Sequence, residues 1–88
     1  MSTKRMVYGK KVRAIRGALL LTQLELSRLA GLHRNTLTVM EIATRNPPEF
    51  KDIHDRVAMA LCGMSADEVH ACDLAKCIAV AIKKKAAA

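Results

Sequence analysis

The sequence predicts an all-α fold, and three observations carry that expectation. Hydrophobic residues make up 51% of the 88 positions while aromatics make up 2%, namely Tyr8 and Phe50. The core must therefore be aliphatic, which favours helices. Apolar residues recur at helical spacing and no stretch alternates as a strand would. Two capping-box patterns, Thr22-Gln-Leu-Glu25 and Ser65-Ala-Asp-Glu68, mark helix starts. A chain of this length supports one hydrophobic core, and its apolar content is too high for global disorder.

Residues 1–7 are polar and basic and read as a loose arm. A first helix is expected from about Lys10 to Leu20, because Val12, Ile15 and Leu19 fall at i, i+3 and i+7. Thr22 is the N-cap of a short second helix that Gly31 ends, since glycine tolerates the left-handed conformation there. A third helix fits from His33 or Arg34 to Glu41, carrying Leu37 and Met40. The double proline in Arg45-Asn-Pro-Pro48 makes a loop. A fourth helix runs from about Glu49 to Leu61, with Phe50, Ile53, Val57, Ala60 and Leu61 on one face, and Gly63 ends it. Ser65 opens a fifth, long helix to about Lys84, with Leu74, Cys77, Ile78, Ala81 and Ile82 as its stripe. The expected layout is a five-helix bundle, with the arm at 1–7, a main domain at 8–64 and a C-terminal helix and basic tail at 65–88.

Charge is distributed unevenly. The chain carries a net +7, and residues 1–46 hold all of it: nine Lys or Arg against Glu25 and Glu41. Residues 47–88 balance six bases with six acids. A localised excess of this kind is the footprint of a polyanion-binding face. Cysteines number three, Cys62, Cys72 and Cys77, and no apolar signal region follows the basic start, so a reduced, cytoplasmic protein is expected. The longest apolar runs fall far short of a membrane span. No CxxC pair is present and His70 with the cysteines fits no standard zinc layout, so the thiols read as small core residues and neither metal nor cofactor is expected. No catalytic arrangement or phosphate loop is recognisable, and no enzyme is expected.

Two short helices around a glycine turn form the layout of a helix-turn-helix. Counting Gln23 as the first motif position, Gly31 falls ninth, where the turn needs positive φ. Leu26, Ala30, Leu32, Leu37 and Met40 fall fourth, eighth, tenth, fifteenth and eighteenth, the positions at which the two helices bury residues against each other. Ser27, the fifth, is small, as close helix approach requires.

From Tyr8 to about Val69 the chain resembles the phage repressor/Cro (XRE-type) class of helix-turn-helix proteins. The resemblance rests on Tyr8-Gly-Lys-Lys-Val-Arg-Ala-Ile-Arg16, Leu21-Thr-Gln23, Leu26-Ser-Arg-Leu-Ala-Gly31, Glu41, Arg45-Asn-Pro47 and Ala60-Leu61. It implies that the third helix enters the major groove of double-stranded DNA. Base contacts would come from Arg34, Asn35, Thr38 and Val39: Arg suits guanine, Asn suits adenine, and Val meets a thymine methyl. Phosphate contacts would come from Thr22, Gln23, His33, Arg45 and Asn46. The resemblance also implies a structural pair between Arg16 and Glu41. Two positions depart from the family pattern. Ala43 stands where the family has Gly, so either the backbone there is strained or the loop takes another path. His33 stands where Ser or Thr usually caps the recognition helix.

The function implied is sequence-specific DNA binding by a transcription regulator, acting as a repressor. The alternative is an antitoxin that represses its own operon and holds a toxin through the helix after Ser65. The length leaves no room in this chain for a sensing domain, so regulation is expected through protein level, degradation or a protein partner, toxin or polymerase. A homodimer is expected because one recognition helix reads few base pairs, with Leu74, Cys77, Ile78 and Ile82 as its contacts. The competing expectation is that this last helix folds back on its own domain.

Overall fold

In a computed structural model the chain is described over residues 7–46 and 48–87. Apart from Val7, the arm expected at the N-terminus lies outside the described residues, as does Pro47. The architecture is all-helical, with no strand among the described residues. Six α-helices follow one another: α1 (Tyr8–Ala18), α2 (Gln23–Ala30), α3 (Arg34–Ile42), α4 (Lys51–Cys62), α5 (Ala66–Ala71) and α6 (Leu74–Ala87). A 3₁₀ turn, Pro48–Phe50, leads into α4.

The first three helices sit within two residues of their expected bounds: apolar spacing located α1, and the Thr22 and Gly31 caps bounded α2. Thr22 accepts the Glu25 amide while Glu25 Oε1 accepts the Thr22 amide, which closes the capping box at the start of α2. Gly31 and Gly63 end α2 and α4 with φ of 68° and 67°. Ala43 is extended, with φ −60° and ψ 139°, so the loop after α3 takes another path and needs no glycine there.

The long fifth helix is a correction: it is two helices. Cys72 is extended (ψ 147°) and breaks the chain between α5 and α6. Two polar groups cause the break. The Lys11 ammonium, only 6% exposed, donates to the carbonyls of Val69 at 2.6 Å and of Cys72 at the end of α5. A cation there satisfies carbonyls that the helix leaves without partners. Asp73 Oδ1 then accepts the Lys76 amide at 2.8 Å and starts α6. Lys11 leaves no local signal, since it lies some sixty residues away in sequence, whereas Asp73 is a local cap that the continuous apolar stripe through Leu74 and Cys77 overrode.

The core is aliphatic around a single buried tyrosine. Val12, Ile15, Leu26, Leu37, Val57 and Cys77 are fully buried. Tyr8 is fully buried too, its hydroxyl donating to the His54 carbonyl at 2.7 Å and its ring stacked 4.2 Å from the His54 ring. Burial pushes the Tyr8 hydroxyl far above its ordinary titration range. α6 packs back on α4 and α1. Cys77 and Ala81, both fully buried, therefore face the chain's own core. Burial pushes the Cys62 thiol up to about 11 and raises that of Cys77, so both stay protonated among apolar neighbours. No described helix is long and apolar enough to cross a membrane. Among the described residues no cluster of His, Cys, Asp and Glu has the makings of a metal site.

Candidate nucleic-acid interface

α3 is amphipathic in a way that divides its residues cleanly. Leu37, Met40 and Glu41 are buried, at 0%, 1% and 3% exposure. Arg34, Asn35 and Val39 point to solvent. The exposed side chains of Arg34, Asn35 and Arg45 make no hydrogen bond or ion pair with the described residues, so their donors are available to an outside partner. The start of the helix is held by His33, whose Nδ1 accepts the Asn35 amide at 3.1 Å. His33 is thus a working N-cap, and its other ring nitrogen is the one left for a contact outside the chain.

Behind this exposed row lies a polar network. Glu41 carries its carboxylate into the interior, where Arg16 grips it with two bonds, Nε to Oε2 at 2.8 Å and Nη2 to Oε1 at 3.0 Å. Gln23 Nε2 adds a third at 3.1 Å. Arg16 also donates through Nη1 to the Leu21 carbonyl at 2.9 Å. Gln23 Oε1 lies 3.2 Å from Thr38 Oγ1, whose proton it shares with the Arg34 carbonyl at 3.0 Å. One network therefore fastens α1, the start of α2 and α3 together. Fork geometry on a buried carboxylate is among the more rigid couplings that side chains make.

A close backbone approach fixes the same junction. A Cβ on Gly9 would stand 2.0 Å from the Met40 carbonyl oxygen, so α1 rests on α3 with no room for a side chain. The exposed face of α3 is thereby set against a framework that cannot slide.

The expected site residues fall into three groups. Arg34, Asn35, Val39 and His33 are exposed together on α3 or at its start, with Arg45 exposed in the loop beyond. Thr38 and Gln23 are half-buried and bound to each other, and Gln23 keeps one amide N–H beyond the one that Glu41 accepts. Thr22 and Asn46 are exposed but act as caps: Asn46 Oδ1 accepts the Tyr8 amide at 3.0 Å and so caps α1. Of the α6 stripe, Leu74 and Ile78 are half-buried against the core, Cys77 is inside it, and Ile82 is 49% exposed.

The basic half of the chain also separates. Lys11 and Arg16 spend their charge inside the fold, whereas Lys10, Arg13, Arg28, Arg34 and Arg45 are exposed. Lys11 is one of the nine bases that make up the excess charge of residues 1–46, yet it lies inside the fold. The one signal that could have betrayed it is its place beside Val12 on the inward side of an otherwise apolar helical stripe.

Comparison with protein-family models, with curated proteins and with solved structures finds no match.

Proposed function

We propose that this protein binds double-stranded DNA in a sequence-specific manner and acts as a transcriptional repressor, with α2, the Gly31 turn and α3 as a helix-turn-helix. One observation carries the reading. Arg34, Asn35 and Val39 stand unpaired on the outer face of a helix whose inner face is locked by the Arg16–Glu41–Gln23 network. A reading head needs both properties: side chains free to meet base edges, and a helix held in one orientation. Arg34 supplies a planar fork for guanine, Asn35 an amide for adenine, and Val39 an apolar contact for a thymine methyl. Arg45, the free ring nitrogen of His33 and the second amide proton of Gln23 would meet phosphate oxygens, with Thr22 and Asn46 beside them as further polar groups. Thr38, bound to Gln23, links the phosphate-facing and base-facing groups.

Reading a full operator takes two such helices about 34 Å apart, so the proposal includes a two-fold dimer on DNA. Because Cys77 lies in the chain's own core, a seam along α6 has only the outer parts of Leu74, Ile78 and Ile82 to use. The antitoxin reading keeps the same DNA-binding unit and adds a partner surface. Large apolar side chains exposed outside α3, among them Leu20, Leu29, Met59 and Ile82, favour it.

Selection of binding sites from random duplexes, followed by titration of the selected site, tests the proposal. Arg34→Ala is expected to cost about 1–3 kcal/mol at the selected site and to relax preference at one base pair. Gln23→Ala is expected to weaken binding to all sequences alike. Failure to select any sequence, or unchanged discrimination in Arg34→Ala, refutes the assignment.

A further inference from the structure

Among the described residues, three close a helix or turn in the left-handed region. Two use glycine, Gly31 and Gly63; the third is Leu20, with φ 59°. Leu20 follows the C-cap of α1, the place where glycine is favoured because a side chain there crowds the backbone. It is also 87% exposed, so nothing within the chain rewards its side chain. The backbone turn itself closes α1, with the Leu20 amide donating to the Gly17 carbonyl and the Leu21 amide to the Arg16 carbonyl, both at 3.0 Å, so what asks for an outside reason is the exposed leucine side chain where glycine would serve.

Its surroundings supply one. A groove of about 220 Å³ runs past Leu19, Leu21, Leu29 and Leu61. A second, shallower hollow holds Leu20 and Ile82 and shares Leu19 and Lys85 with the first. Together they form one concave apolar surface between the end of α1, α2, α4 and the end of α6. Leu20, Leu29 and Ile82 rise from it at 87%, 63% and 49% exposure. Lys84 and Lys85 form its rim, and Lys85 is fixed there by donating to the Leu19 carbonyl at 2.7 Å. Among the described residues no acid lines either hollow. Glu25, which caps α2, lies close enough to Lys85 to feel its charge and leaves Lys84 as the less compensated cation of the rim. No residue of α3 takes part.

We propose that this surface docks an amphipathic helix of a partner protein, apolar on its inserted face and acidic on its flank. A concave apolar groove takes the i, i+3, i+4 and i+7 knobs of a helix. The lysine rim selects an acidic flank over a lysine-rich one. A bilayer is the wrong shape for it: α6 spends Cys77 and Ala81 on its own core and has no continuous apolar face to lay on lipid. The surface is separate from the base-reading face, because no residue of α3 lines it, but it shares Ile82 with the α6 seam proposed for the dimer.

The test uses the whole chain and two synthetic helical peptides with the same Leu face, one flanked by Glu and one by Lys, followed by backbone amide shifts and by anisotropy. The Glu peptide is expected to move the amides of Leu19, Leu20, Leu21, Leu29 and Lys85, and to bind about tenfold more tightly than the Lys peptide. Leu20→Asn is the decisive variant, because asparagine accepts the left-handed backbone: it should leave thermal stability equal or higher while weakening the Glu peptide about tenfold. The proposal is overturned if the Glu peptide moves none of these amides, or if both peptides bind alike. It is also overturned if sedimentation shows copies of the chain pairing through Leu20, or if vesicles of phosphatidylserine and phosphatidylcholine move the same amides as strongly.

Discussion

The Arg16–Glu41 pair lends itself to a quantitative test, because its geometry fixes what each truncation leaves behind. The Glu41 side chain is 1% exposed and the Arg16 side chain 16%. Replacing Glu41 with Ala removes three acceptor contacts and leaves the guanidinium in a nearly dry site with the Leu21 carbonyl as its remaining partner. Breaking a buried pair from one side costs about 3–5 kcal/mol, most of it the desolvation of the stranded charge. Because Arg16 retains some contact with water, the lower end applies, about 3 kcal/mol. Replacing Arg16 leaves the more deeply buried carboxylate with a single Gln23 amide, so that variant should lose at least as much. The double replacement strands neither charge. Its loss should fall short of the summed single losses by about 2 kcal/mol, within the range of directly contacting pairs. For a domain of this size 1 kcal/mol moves the midpoint by about 4–8 °C, so the Glu41→Ala midpoint should drop by about 12–24 °C. Urea unfolding of the four proteins gives the cycle. Additive losses would show that the fork contributes no coupling, and that α3 is held by apolar contacts alone.

The two helical glycines of α1 should respond oppositely to alanine. Gly9→Ala drives a Cβ into the Met40 carbonyl and should cost about 3 kcal/mol or more, whereas Gly17, with nothing within 4 Å of its virtual Cβ, should gain about 0.5–1 kcal/mol. Thermal melts of both variants check the pair; a tolerated Gly9→Ala would mean that α1 and α3 do not touch as described. Acid should act through His54, whose ring is held below its usual value of 6.5 by burial first and by His70 second. The unfolded chain takes up that proton more readily than the folded one, so stability is complete above about pH 6.5 and is lost as pH falls below it. Midpoints measured from pH 7.5 to 5 should decline more steeply for the wild type than for His54→Gln; parallel declines would assign the acid loss elsewhere.

Most helix starts and stops with a short-range signal were legible, the Asp73 cap of α6 being the exception. Thr22 with Glu25 and Ser65 with Glu68 are complete capping instructions within four residues, and Gly31 and Gly63 are conformational requirements of single positions. The helical spacing of Leu26, Leu37 and Met40 likewise identified buried faces, because periodicity is a property of the local chain. The pairing of Arg16 with Glu41 was expected from family resemblance and is present as a two-bond fork.

Tertiary structure decided what depends on groups far apart in sequence. Lys11 ends α5 and splits the expected long helix because its ammonium arrives from another helix, and no local pattern at Cys72 announces a cation. Asn46, expected as a phosphate contact, also caps α1 through its Oδ1 because the loop after α3 returns to Tyr8, and its side-chain NH2 stays exposed. Gly9 matters more than Gly17 because a neighbouring backbone stands beside one and open space beside the other. Composition and spacing fix which residues prefer burial and where the backbone turns. Which charge is spent inside the fold, and which is left for a partner, is settled only when distant helices meet, since the energy of a polar group depends on what surrounds it.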